Sequence, residues 1–190
     1  MPNSPSVNRR SEKAHAAILD ATLRILSTQG YVDLTVERIA KEAGVGKQTI
    51  YRWWTGKADL VLEVWQHRLL PTLEPYDGVT AIKTYLEQSL VRFGEQLART
   101  ECRQAAICLL AEAHRNPELH RLMDESVYQP RIALIKDALH RAEPQELLAP
   151  ATSVDTVIDT LYGAIWYKVL IRFEDVPRQY VAEIIEQAFK

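Results

Sequence analysis

From Ala14 onward the apolar residues recur at helical rather than strand intervals. Ala14, Ala17, Ile18, Ala21 and Ile25 share one face of a helix that turns every 3.6 residues. Gly30 follows the last of these turns, where a left-handed cap favours a residue without Cβ. The spacing therefore predicts a helix over about residues 9–29. Thr35 is a good N-cap for a short helix over 36–42, which Gly44 ends. A third short helix, over 46–53, is broken by Thr55 and Gly56. A fourth opens near Lys57, carries Leu60, Val61, Val64, Trp65 and Arg68, and stops at Pro71, with Pro75 prolonging the break.

The same period runs through the rest of the chain. Val79, Ile82, Leu86, Leu90, Phe93 and Leu97 predict a fifth helix, and residues 102–114 a sixth. Asn116-Pro117 closes that helix and opens a seventh, which runs toward Arg141 with a bend at Pro130. Glu143 to Pro150 reads as a loop. The eighth helix has Val154, Val157, Ile158, Leu161 and Ile165 on one face, with Tyr162, Trp166, Val169 and Leu170 beside or opposite it. The ninth has Val181, Ile184, Ile185, Ala188 and Phe189. The expected fold is all-α with about nine helices, preceded by a disordered tail over residues 1–8. The last two helices carry more apolar face than one subunit covers. They are expected to form an intersubunit four-helix bundle in a homodimer, with Tyr162, Trp166, Ile185 and Phe189 at or near the interface. Packing within the monomer is the alternative.

Composition alone excludes little. With 190 residues, 47% apolar and 25% charged, the chain has an ordinary globular balance and enough apolar surface for a core. The longest uninterrupted apolar run, Ala105 to Ala111, is only seven residues, far short of a membrane span. The N-terminus lacks the apolar segment of a secretion signal, and two cysteines make no disulfide framework, so a cytoplasmic location is expected. Charge changes the picture more. The net charge is −2, but residues 1–57 hold nine Lys/Arg against five Asp/Glu, while the remainder is −6. A basic end suits a phosphate backbone; the acidic body does not.

Residues 34–54 read as a helix-turn-helix. Ile39 and Ala40 face inward, and Ala40 must be small where the second helix crosses it. Gly44 suits the turn position of positive φ. Val45 plugs the space beneath the turn, and Ile50 and Trp54 anchor the second helix from below. Lys47, Gln48, Thr49, Tyr51 and Arg52 are left facing outward, a set suited to base edges and phosphates of double-stranded DNA.

Residues 14–69 resemble the DNA-binding region of the TetR family of bacterial transcriptional regulators. The resemblance rests on Gly30-Tyr31, on Thr35, Ile39, Ala40, Ala43, Gly44 and Val45, and on Thr49, Ile50, Tyr51, Trp54, Lys57 and Leu60. Leu161 to Lys168 is also similar to that family. Gly46 departs from the family's frequent serine and offers no capping hydroxyl. Gln48 stands where a small residue is common, and can pair with adenine. The resemblance implies a DNA-binding domain over 9–56 and an effector-binding and dimerisation domain over 57–190. It implies a repressor of a palindromic operator. Thr35 would meet a phosphate, Lys47, Gln48 and Thr49 the major groove, Tyr51 a phosphate or thymine methyl, Arg52 a phosphate or guanine, and Lys57 the flanking backbone. Arg9 and Arg10 either enter the minor groove or remain a mobile arm.

The resemblance further implies a small-molecule pocket in the body, for which Trp65, Phe93, Met123, Tyr128, Tyr162 and Trp166 are the aromatic and amphipathic candidates; plain core packing is the alternative for each. A largely apolar or aromatic effector fits this content, and the acidic balance favours a neutral or cationic one. Trp65 is expected to touch that ligand and carry its effect along the fourth helix. A helix-turn-helix protein without an effector is a further alternative. An enzyme is not expected. Glu63 and His67 share a helix face but lack the further ligands of a metal site, which Glu112, His114 and His120 do not complete. Cys102 and Cys108 are too far apart in the helical repeat to pair, and no phosphate-binding loop, nucleophile motif or cofactor signature is present.

Overall fold

Every helix predicted from the apolar period is present in the computed structural model, which describes residues 5–142 and 153–189, with side chains from residue 11 onward. Helix α1 spans Pro5–Gln29, α2 Val36–Ala43 and α3 Lys47–Tyr51. Helix α4, Lys57–Val64, runs on through a π-helical turn, Trp65–Leu69. Helices α5 (Ile82–Ala98) and α6 (Thr100–Arg115) follow. Then α7 (Pro117–Met123) passes through a π turn, Asp124–Tyr128, into α8 (Gln129–Arg141). Helix α9 (Val154–Trp166) likewise continues as a π turn, Tyr167–Ile171, before α10 (Arg178–Ala188). No strand occurs among the described residues.

Three boundaries differ from expectation. Residues 5–8, expected as disordered tail, already belong to α1. Pro5 is well placed there, because its missing N–H would have no partner at a helix start. Residues 1–4 and the loop expected over 143–150 lie outside the described residues, as do the Arg9 and Arg10 side chains. Helix α5 begins at Ile82, not Val79. The Asp77 carboxylate accepts from the backbone N–H groups of Val79 and Thr80, each at 2.9 Å, and from the Thr80 hydroxyl at 2.8 Å. Those bonds hold the carboxyl below its usual range and leave Val79 90% exposed. The bend expected at Pro130 takes the form of the π turn ahead of it. Proline cannot supply an N–H to the ladder, and the wider turn absorbs the gap.

Ile18, Leu26, Leu34, Ile39 and Ile50 are fully buried where α1, α2 and α3 meet, and the core continues into the body through Leu60, Trp65, Leu86, Leu90, Phe93 and Leu97. The long α1 packs on α6, and α10 packs on α5 and α9. Gly94 permits close approach, since a Cβ there would stand 2.7 Å from the Val176 side chain.

This packing covers Ile185 and Phe189, expected at the interface, within their own subunit. Ile185 is 2% and Phe189 9% exposed, because α10 lays its wide apolar stripe on α5 and α9 of its own subunit. Tyr162 and Trp166 turn toward Phe93, with ring centroids 5.3 and 5.5 Å away. The outward face of α9 and its π turn instead carries Thr156, Thr160, Gly163, Tyr167 and Ile171, and Phe173 follows. Ile171 is 65% exposed and Phe173 63%. No helix among the described residues is long and apolar enough to cross a membrane.

Candidate nucleic-acid interface and the cavity behind it

The Thr35 hydroxyl oxygen accepts from the Arg38 backbone N–H at 3.2 Å, which caps α2, and the residue is exposed. Gly44 ends α2 in the left-handed region at φ 67°, and its N–H returns to the Ala40 and Lys41 carbonyls. The Val45 N–H also returns to the Ala40 carbonyl, at 3.0 Å, so the turn is tightly bonded. Ile50 and Trp54 are buried beneath α3, while Lys47, Gln48, Tyr51 and Arg52 are exposed and Thr49 is half-buried. Gly46 caps α3 with extended backbone and no side-chain bond.

The cations on this surface are held in place. Lys47 Nζ lies 2.6 Å from Glu37 Oε1, an ion pair joining α2 to α3. Its hydrogen bond lowers the Glu37 carboxyl and raises the Lys47 ammonium from their ordinary ranges. The Arg52 guanidinium stacks over Trp53, 4.5 Å from the ring centroid. Lys57 is half-buried. Its Nζ donates to the Tyr31 carbonyl at 3.3 Å and sits 4.2 Å from that ring's centroid. Gln48 has no side-chain hydrogen bond among the described residues, so its amide is free to read a partner.

Glu63 has a role that its spacing to His67 does not suggest. It turns away from His67, which is exposed, and toward α1 and the end of α3. Its Oε2 accepts from Trp54 Nε1 at 2.6 Å, and its Oε1 lies 2.8 Å from His15 Nε2. The His15 ring stacks on Trp54, with centroids 4.9 Å apart, and meets Trp53 edge-on at 5.3 Å. Part of the signal was available: a buried tryptophan N–H usually takes an acceptor, and Glu63 lies on the helix that follows. Among the described residues no group of three His, Cys, Asp or Glu is gathered as for a metal. Cys102 donates to the Arg68 carbonyl at 3.3 Å, and burial pushes its thiol pKa up. Glu63→Leu should strand the Trp54 N–H and cost about 1–3 kcal/mol of stability, whereas Glu63→Gln keeps an acceptor and should cost less. Denaturant titrations of both variants check this.

Behind α4 lies a cavity of about 290 Å³. Phe93, Tyr128, Tyr162 and Trp166 line it with Arg131 and several isoleucines. Trp65 and Met123, expected as ligand contacts, do not line it. Each is at most 1% exposed in the core, where the inward face of its helix takes it. Trp65 stands one layer behind the wall, edge-on to Tyr128 at 6.1 Å. Leu70, which ends the π turn of α4, is itself part of the wall. The Pro71 carbonyl beside it accepts from Arg131 Nη1 at 2.9 Å. The segment formed by α4 and its π turn therefore meets Tyr128 of the cavity wall through Trp65, and meets Trp54, just beyond α3, through Glu63.

Residues 18–64 match the family model described as bacterial regulatory proteins, tetR family, and residues 82–188 match tetracyclin repressor-like, C-terminal domain. An uncharacterized HTH-type transcriptional regulator of Bacillus subtilis (YdeS) is 29% identical over 184 residues, covering 95% of this chain and 90% of its own. Another, from Mycobacterium tuberculosis, is 31% identical over 156 residues, covering 81% and 75%. Among solved structures, a TetR family transcription regulator is similar with a TM-score of 0.68 and 28% identity, covering 92% of this chain and 96% of its own. The fatty acid degradation regulator FadR of Bacillus halodurans shares the fold, with a TM-score of 0.75 at 19% identity and coverage of 92% and 97%.

Proposed function

Because this chain belongs to the TetR family, and is therefore a dimeric, operator-binding transcriptional regulator and not an enzyme, we propose that it represses from a palindromic operator and is released by a small, largely apolar or aromatic effector held in the cavity behind α4. The observation that carries this reading is that α4 and its π turn engage both regions, Trp65 meeting Tyr128 of the cavity wall and Glu63 bonding Trp54 just beyond α3. Two recognition helices must sit about 34–36 Å apart to enter successive major grooves. An effector releases DNA only by binding the incompetent spacing more tightly, and moving that equilibrium from 1:99 to 99:1 takes about 5.5 kcal/mol. Movement of Leu70 and Tyr128 around a ligand would be passed to α4 and so to α3. Operator titrations with and without a compound library test this. Binding that no compound weakens would favour a regulator without an effector.

In this reading the DNA-binding part ends near Lys57 and the remainder binds effector and dimerises. Thr35 donates its hydroxyl proton to a phosphate at the N-terminus of α2. Lys47 and Thr49 approach the major groove, Gln48 reads an adenine, and Tyr51 meets a phosphate or thymine methyl. Arg52, pre-set by Trp53, contacts a phosphate or guanine. Lys57 steadies the flanking backbone from its seat on Tyr31. The subunits join through the outward face of α9, with Tyr167, Ile171 and Phe173 as its apolar centre.

Two substitutions separate reading from positioning. Arg52→Ala should weaken binding to all sequences and lower the slope of log K against log salt by about 1. Gln48→Ala should leave that slope unchanged and relax preference at one base pair, worth about 1–3 kcal/mol. Operator-variant titrations at several salt concentrations check both. A uniform loss for Gln48→Ala would make it a positioning residue.

A further inference from the structure

The walls of the cavity are apolar, and its buried unpartnered polar atoms are those of one guanidinium and two phenols. Arg131, on α8, spends its Nη1 on the Pro71 carbonyl. Its Nε and Nη2 are buried with no hydrogen-bond partner within the described protein. These two atoms form the side edge of the guanidinium, whose parallel N–H groups match the two oxygens of a carboxylate. The Tyr128 and Tyr162 hydroxyls, from the π turn before α8 and from α9, are also buried without a hydrogen-bond partner. Burial pushes both phenols upward in pKa, so both remain protonated donors. Arg131 pulls against that rise at Tyr162; the two groups are close enough to interact but do not meet in hydrogen-bond geometry. No carboxylate among the described residues forms an ion pair with Arg131, and Asp159, which also lines the cavity, is exposed at its rim.

A buried guanidinium edge without an acceptor is costly, and the acceptor that repays most is anionic and bidentate. We propose that the effector is an organic acid, with its carboxylate on the free edge of Arg131, assisted by Tyr128 and Tyr162, and its aromatic or aliphatic body against Phe93 and Trp166. This rests on the effector reading above and narrows it to one chemical class. It also reverses the expectation of a neutral or cationic ligand. That expectation came from the charge of the whole body, which lies mostly on its solvated surface, whereas the cation that matters is the one facing the cavity. At about 290 Å³ the cavity stands at the small end of ordinary ligand sites, which suits a compact acid.

The test uses the full-length protein and three matched probes: phenylbutyrate, its primary amide and phenylbutylamine. Calorimetry should give acid binding roughly 10- to 100-fold tighter than amide binding, as charge-assisted bonding requires, with the amine weakest. Arg131→Gln should abolish the preference for the acid while keeping amide binding. Arg131→Lys should restore part of the preference, because it returns the charge without the fork. If Arg131→Gln does not fold, the wild-type comparison of acid with amide still decides. Equal binding of acid and amide, or an acid preference that survives in Arg131→Gln, overturns the acid class and leaves the cavity as an effector site. Failure of all three probes to bind overturns both.

Discussion

Replacing Ile185 by arginine is expected to destabilise the fold strongly, whereas Ile171→Arg is expected to separate the dimer and leave each subunit folded. The two isoleucines differ in where their helices put them. Ile185 is 2% exposed between α10, α5 and α9, while Ile171 is 65% exposed at the end of the α9 π turn. Arginine at the first position places an unpaired charge in a packed core, at a cost of at least about 3–5 kcal/mol. At roughly 2–4 °C per kcal/mol for a chain of this size, the melting temperature should fall by about 6–20 °C. At the second position the guanidinium reaches water in the separated subunit and is buried only in the dimer. Sedimentation and thermal melts of both variants distinguish the cases. An Ile185→Arg protein that melts like wild type would contradict the packing, and an Ile171→Arg protein that stays dimeric at low concentration would move the interface elsewhere.

Trp65→Ala is expected to cost about 3–5 kcal/mol, because Trp65 is the largest fully buried side chain and its loss leaves a void beside Tyr128. Trp65→Phe should cost much less. It retains most of the packing and removes an indole Nε1 that is buried without a partner. The milder variant is therefore the one that reads out coupling. Operator affinity without effector should stay near wild type, since the base-facing residues are untouched. The effector concentration needed for release should change, since the contact between cavity wall and α4 has changed. Denaturant titrations check the stabilities, and operator titrations with an inducing compound check the coupling. Equal induction in wild type and Trp65→Phe would remove Trp65 from the path.

Helix existence, helix order and the helix-turn-helix were legible because they depend on local rules. A 3.6-residue apolar period, the Thr35 cap and the left-handed Gly44 turn act within a few residues, and no distant contact overrides them. Gln48 and Arg52 could be placed outward for the same reason, since Ile50 and Trp54 fix which side of α3 is buried. Misplaced residues depended on which element covers which. The periodicity of α10 marks Ile185 as apolar-facing but does not say whether the facing surface belongs to the same subunit. Trp65 and Tyr128 look equivalent as aromatic positions, and only the packing of α4 against the helix that carries Tyr128 makes one core and the other cavity wall. Arg131 was hidden more deeply, because its defining contact crosses a long sequence separation to the Pro71 carbonyl; Glu63 adds to its local Trp54 contact a distant one, to His15. A charged side chain's meaning is set by the groups that surround it once water is excluded. The sequence by itself determined the helices, the recognition motif and the family. The tertiary structure decided which apolar faces remain outside, where the cavity lies, and what surrounds Glu63 and Arg131, because burial and pairing are properties of the assembled chain.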